Sequence, residues 1–200
     1  RTAVNAQGRL SGRHDPDLDQ LGERQARAVA EAVRASTLGR TVTVVTSPLI
    51  RCVRTAEMVA LTCRGDATQL TPDDRFVELD YGEWDGRPLS AVPAESWRRW
   101  REDPDFAPPG GETLTSVTAR VSAGVSDWVS RHPGEVLVVA SHVTPIKAAV
   151  VWALDVGEQA TWRMRLSNAS ITRLDVATDV RDRVSATVMA FNETLHLEQE

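Results

Sequence analysis

Val136-Leu137-Val138-Val139-Ala140-Ser141-His142-Val143-Thr144-Pro145 is the stretch on which the reading of this chain turns. Its first five residues are apolar and mostly β-branched, the composition of a short buried strand. The run stops at Ser141-His142, and Thr144-Pro145 then supplies an N-cap and a first-turn proline for a helix. The stretch therefore predicts a histidine at the carboxyl end of a buried strand, beside the N–H-rich start of the next helix. Open α/β sheets bind ligands, and anions in particular, at such places. A connecting loop in which His142 merely caps a neighbour fits the same ten residues.

The same device occurs earlier. Thr41–Thr46 is a second β-branched run, and Ser47-Pro48 follows it as N-cap and first residue of a helix over 47–62. Leu49, Val53, Ala56, Val59 and Ala60 form its inward face. Arg51 lies in the opening turn, where a side chain leans back toward the helix start. An arginine fork and a histidine converging on two helix N-termini suit a phosphate monoester: guanidinium and amides bind oxygens, and the imidazole holds or transfers charge. Taken singly, Arg51 reads equally well as a solvated helix residue, and Arg54 reads as one.

Around these two units, 1–17 is a polar loop containing Asn5, Ser11 and Gly12. Asp19 caps a helix that presents Leu21, Ala28, Val29, Ala32 and Val33 on one face and ends at Gly39. Residues 68–79 read as a strand followed by a loop, and 81–93, rich in Gly, Asp and Trp, as irregular. A short helix over 95–102 carries Trp97 and Trp100, read as packing a lid helix rather than stacking a base. Pro104–Gly111 is a loop. A long amphipathic helix, 112–131, presents Leu114, Val117, Val121, Val125 and Trp128. Residues 169–176 and 185–192 alternate as two more strands joined by a polar turn, with a polar tail over 193–200. His14 and His132 read as solvated, and His196 as either a tail residue or a pocket neighbour. Alternating helices and β-branched strands imply a largely parallel sheet with helices on both faces, in one domain over 1–200.

Composition narrows the class. The 200 residues are 42% hydrophobic and 26% charged, as in a soluble globular protein. No apolar run reaches the roughly 20 residues of a membrane span, and no signal-peptide pattern opens the chain. A net charge of −5 argues against a general nucleic-acid surface. On one unbroken helix, Cys52 and Cys63 stand about 16 Å apart, too far for a disulfide. Two unpaired thiols fit the cytoplasm, and they match no zinc spacing.

Taken together, six segments carry a resemblance. They are Thr2-Ala3-Val4-Asn5 with Gly8-Arg9 and Gly12; Asp19–Ala26; Thr46–Cys52 through Thr55-Ala56-Glu57; Glu78–Gly86; Pro109-Gly110-Gly111-Glu112; and Val138–His142. In order and spacing the chain resembles the histidine phosphatase superfamily, also called phosphoglycerate-mutase-like. Ser141–Lys147 and Asn192–Leu197 look most like actinobacterial acid phosphatase domains related to α-ribazole phosphatase. In some of those proteins the domain follows a ribonuclease-H-like domain, a fusion the resemblance allows here.

The resemblance implies a three-layer α/β/α sandwich and hydrolysis of a small phosphorylated metabolite through a phosphohistidine, without metal or cofactor. It makes Arg51 the second arginine of the pocket, His142 its second histidine and Glu78 the proton donor to the leaving group. Asn5 matches a phosphate-pocket position, and Ser11, Gly12 and Tyr81 match substrate-proximal ones. Arg1 aligns just after the family's opening Arg-His-Gly motif. The nucleophilic histidine, the first arginine and the central strand leading to them are therefore expected upstream of this sequence, and the 200 residues alone are expected to be inactive. Phosphoryl transfer of the mutase type, and a catalytically dead domain binding a phosphorylated ligand or partner, are the alternatives. Substrate and oligomeric state are left open.

Overall fold

A computed structural model describes residues 1–68, 70–181 and 183–197; the end of the expected polar tail lies outside them. Strand β1, Val42–Thr46, is flanked by β2, Thr71–Pro72, and β3, Val136–Ala140, in a parallel sheet of order β2-β1-β3. The β1–β3 register runs from Val42 opposite Val136 to Thr46 opposite Ala140. Side chains alternate across this sheet with period two. Val42 and Val44, with Val136, Val138 and Ala140 of β3, face one core; Val45, Leu137 and Val139 face the other.

Helices cover both faces. Helix α1 (Ala3–Ala6) is a single turn. Helices α2 (Gln20–Ser36) and α3 (Ile50–Arg64) fill the first core with Val29, Ala30, Val33, Ala56, Val59 and Ala60. The other core holds Val117, Val121, Val125 and Trp128 of α5 (Leu114–Arg131) and Ala148 of α6 (Val143–Leu154). Val44 and Val45 of β1 are 1% and 0% exposed, each contributing about 1.5–3 kcal/mol by burial. An aromatic layer closes the second core: Trp100 of α4 (Ala94–Glu102) is buried, 5.7 Å from Trp84, 5.5 Å from Trp97 and 5.1 Å from Trp162 between ring centres.

The remaining strands, β4 (Ile171–Thr178) and β5 (Val184–Glu193), pair only with each other, antiparallel. Among the described residues β3 pairs with β1 alone, and its side chains are half-buried where those of β1 are mostly buried. The strands thus form two separate sheets among the described residues.

Three local expectations need correction. Ser47-Pro48 does not start a helix: Ser47 N–H extends the sheet by donating to the Ala140 carbonyl at 2.9 Å, and α3 begins at Ile50. Thr144-Pro145 lies inside α6, with His142 in the cap position; Pro145 is the third helical residue, where the missing N–H costs no helical bond. The strand expected over 68–79 shrinks to Thr71–Pro72, because the chain turns at Asp73, whose carboxylate accepts the N–H of Arg75 at 2.9 Å. Both cysteines lie on α3, unpaired. Among the described residues no helix is long and apolar enough to cross a membrane.

Candidate active site

The β1–β3 register sets Thr46 beside Ala140, so the two strand-to-helix junctions lie side by side. Arg51 and His142, each 8% exposed, meet there. The Arg51 Nε–H donates to His142 Nδ1 at 3.3 Å. A guanidinium N–H only donates, so Nδ1 is the acceptor and neutral His142 carries its proton on Nε2. Nε2 stands 2.7 Å from the hydroxyl oxygen of Ser47, which is fully buried. Burial, reinforced by the charges of Arg51, Arg120 and Arg13, holds the His142 pKa well below its ordinary value.

Glu78 reaches the same place from the segment after β2. Its Oε1 accepts the N–H of Leu79 at 2.7 Å and that of Thr144, in the first turn of α6, at 3.2 Å. The segment is pinned from two sides. Ser141 Oγ donates to the Phe76 carbonyl at 2.7 Å. Arg120, paired with Glu112, donates to the carbonyls of Arg75 at 2.7 Å and Glu78 at 3.4 Å. Burial raises the Glu78 pKa; the hydrogen bonds from Leu79 and Thr144 and the charge of Arg51 oppose the rise without cancelling it.

The loop before α2 closes over Arg51. Its Nη2 donates to the carbonyls of Ser11 and Gly12 at 3.2 and 3.1 Å, and its Nη1 to that of His14 at 2.9 Å, with Asp15 Oδ1 at 3.6 Å. This loop is held by Asp85, whose carboxylate accepts three successive backbone N–H groups: Gly12 at 2.7 Å, Arg13 at 3.0 Å and His14 at 2.7 Å. A cavity of about 620 Å³, lined by Arg9, Arg13, His14 and Asp85 among others, lies against the same loop.

The structure therefore brings Arg51, His142 and Glu78 into one hydrogen-bonded group and sets Ser11 and Gly12 against it. Tyr81 packs on Gly12 so closely that a Cβ there would stand 2.8 Å from the ring; burial pushes its phenol pKa up. Asn5 is not brought in. Its side chain and that of Thr2 cap α1 reciprocally, with Asn5 Oδ1 accepting the Thr2 N–H at 3.1 Å, so a local turn takes the group the motif assigns to phosphate. His14 contributes its carbonyl and not its ring. His132 stacks on Trp128, 5.4 Å between ring centres, and His196 Nε2 bonds the Ala169 carbonyl at 2.8 Å. Arg54 is exposed and pairs loosely with Asp17 and Glu57.

Sequence reasoning missed the roles of Ser47 and Asp85. A signal existed for the first: a buried strand ends in Thr-Ser before the arginine helix just as another ends in Ala-Ser before His142. Among the described residues no group of three or more His, Cys, Asp or Glu side chains is arranged to hold a metal ion.

Comparison with known proteins places the chain in a family. The family model described as histidine phosphatase superfamily (branch 1) matches residues 1–189. The bifunctional protein Rv2228c of Mycobacterium tuberculosis is 37% identical over 175 residues, 86% of this chain and 47% of that protein; the chain thus matches about half the length of these mycobacterial relatives. Phosphoserine phosphatase 1 of Hydrogenobacter thermophilus is 32% identical over 96% of this chain and 88% of its own length. The solved structure of mycobacterial glucosyl-3-phosphoglycerate phosphatase Rv2419c with VO3 superposes with a TM-score of 0.84 at 26% identity, covering 97% of this chain and 95% of that one. With a family model spanning nearly the whole chain, a relative 32% identical over 96% of it and a solved structure that shares its fold, the chain belongs to the histidine phosphatase superfamily.

Proposed function

We propose that the full protein is a phosphomonoesterase that hydrolyses a small phosphorylated metabolite through a phosphohistidine, without a metal. The observation that carries this is the single buried group formed by the Arg51 guanidinium, the neutral His142 imidazole and the Glu78 carboxyl with its raised pKa. A phosphoryl group in flight spreads charge over its equatorial oxygens, so fixed donors and cations supply most of the catalysis. The carbonyl oxygens of Ser11, Gly12 and His14 now on Arg51 stand in for those phosphoryl oxygens, and substrate replaces them as the loop gives way.

In this reading a nucleophilic histidine upstream of Arg1 attacks phosphorus and the ester P–O bond breaks. Glu78, protonated through its raised pKa, gives its proton to the leaving alkoxide. Water then cleaves the phosphohistidine, and Glu78 is reprotonated as that water is consumed. Arg51 holds the transferring oxygens throughout, with His142 fixed beside it as its hydrogen-bond partner. Gly12 and Tyr81 border the ester group. Two unpaired cysteines fit a cytoplasmic setting. A ribonuclease-H-like fusion partner in the full protein belongs to the same proposal; the chain matches 47% of the length of a mycobacterial relative called bifunctional.

The test is p-nitrophenyl phosphate hydrolysis by protein extended upstream of Arg1, in the presence of a chelator. Turnover is expected to persist with chelator, and Arg51→Ala and His142→Ala are each expected to lower kcat by about 10²–10³. Wild-type rates in both variants overturn the reading. The 200-residue chain alone is expected to show no turnover.

A further inference from the structure

Ser47 lies at the centre of the group without a part in the mechanism above. It is fully buried. Its oxygen is 2.7 Å from His142 Nε2 and accepts the N–H of Leu49 at 3.3 Å. Because Arg51 Nε–H occupies Nδ1, the imidazole proton is on Nε2 and points at Ser47, which accepts it. The Cys52 sulfur also approaches Nε2, but at 3.4 Å, and its own S–H is directed to the Ser141 carbonyl at 3.3 Å. The Ser47 oxygen thus accepts from two donors, while its hydroxyl proton meets no acceptor among the described side chains and carbonyls around it. A buried hydroxyl with both lone pairs engaged and its proton unspent is a donor waiting for an oxygen.

We propose that Ser47 is a further catalytic residue of this site: it fixes the His142 ring by accepting Nε2–H and donates its own hydroxyl proton to an oxygen of the transferring phosphoryl group. The proposal rests on the phosphomonoesterase reading for the identity of that oxygen. It adds a neutral donor where β1 runs out beside β3, on the ring nitrogen of His142 that Arg51 leaves free, for an oxygen that gains charge as the ester bond breaks. A serine suits the position because one small side chain both receives from the ring and gives to the ligand.

Two measurements test it. In the N-terminally extended protein, Ser47→Ala is expected to lower kcat on p-nitrophenyl phosphate about tenfold or more, the scale of one hydrogen bond to a charged group. KM and melting temperature are expected to hold, and Ser47→Thr, which keeps the hydroxyl, to restore most of the rate. An alanine variant with wild-type kcat overturns the proposal, as does a threonine variant that folds normally yet stays as slow as alanine. The second measurement needs no turnover: ¹⁵N NMR of the histidine-labelled extended protein is expected to show His142 as the Nε2–H tautomer, bonded to oxygen. An Nδ1–H tautomer would make Ser47 the donor to the ring, leave no proton for a ligand and overturn the assignment even if Ser47→Ala fails to fold. Absence of turnover in the wild-type extended protein overturns the phosphatase reading instead, whatever the tautomer.

Discussion

Helices α3 and α6 start in the same way and end up with different chemistry. Each begins at the carboxyl end of a parallel strand, and each has a backbone N–H in its first turn capped by a carboxylate from a distant segment. Asp15 Oδ1 accepts the N–H of Ile50 at 2.8 Å, and Glu78 Oε1 that of Thr144 at 3.2 Å. Both carboxylates face the positive end of a helix dipole. Their surroundings differ: the Asp15 side chain is 39% exposed, whereas Glu78 is 5% exposed. For Glu78 the loss of water outweighs dipole and hydrogen bonds together, and its pKa rises. One contact, set in two dielectrics, leaves a solvated cap in the first case and, in the second, a buried carboxyl of raised pKa, the one proposed as proton donor.

The sharpest way to break that comparison is Glu78→Gln. Glutamine keeps an oxygen for the N–H groups of Leu79 and Thr144 but has no proton to give. In the extended protein kcat is expected to fall by about 10²–10⁴, the usual worth of a general acid, while the chain stays folded. Stability should move the other way with pH. A carboxyl whose folded-state pKa is raised contributes stability that is fully present below its unfolded-state pKa and is lost as pH rises through the folded-state value. Glu78→Gln lacks that loss, so its melting temperature is expected to gain on the wild type from the ordinary carboxylate range upward. His142, with its pKa lowered, has the opposite sign: its contribution is present above the unfolded-state value and is lost as pH falls toward the folded-state one. A pH series of melting curves for the wild type, Glu78→Gln and His142→Gln separates the two. Equal slopes in all three would show that neither group is buried as described.

Much of this arrangement was legible before the structure. The runs 41–46 and 136–140 read as buried strands because β-branched residues concentrate where both faces are covered, and Arg51 and His142 followed from their position at the strand ends. The cap assignments at Ser47 and Thr144 were not legible, since Ser-Pro and Thr-Pro match a helix start whether or not the preceding residues extend the sheet. Asp85 was invisible for another reason. Its three N–H partners begin at Gly12, 73 positions away, and nothing local marks an acid that will hold a distant turn. Asn5 failed in the reverse sense, because a nearby Thr2 satisfied the side chain that the motif had reserved for phosphate.

Gly12 is where the two carboxylate-bearing segments touch. A Cβ there would stand 2.6 Å from the Leu79 carbonyl oxygen and 2.8 Å from the Tyr81 ring, the first a backbone atom that cannot rotate away. Gly12→Ala is therefore expected to push the 11–15 loop off the Leu79–Tyr81 segment, at a cost of about 1–3 kcal/mol. The comparison makes a further demand: Arg51 should be freed while Glu78 stays buried, because Glu78 is held by Thr144, Leu79 and Arg120 and not by the loop. In the variant, urea unfolding is expected to show the lost stability, while the pH dependence due to Glu78 is retained. Loss of that dependence would mean that loop and proton donor form one unit.

The smallest effect is expected at Asp15. Asp15→Ala removes a cap from α3, worth about 0.5–2 kcal/mol, and a carboxylate 3.6 Å from Arg51. Water reaches this side chain, so Arg51 loses only a loose, partly screened partner, and it keeps the Ser11, Gly12 and His14 carbonyls and His142. Thermal unfolding is expected to shift by a few degrees for that loss, with kcat on p-nitrophenyl phosphate within about tenfold of wild type, the difference that roughly 1.4 kcal/mol would make. A fall in kcat as deep as that of Glu78→Gln would mean that exposure does not separate the two caps. The contrast between them would then have to come from the residues they face, Arg51 on one side and the α6 amides on the other, and not from the water they have kept or lost.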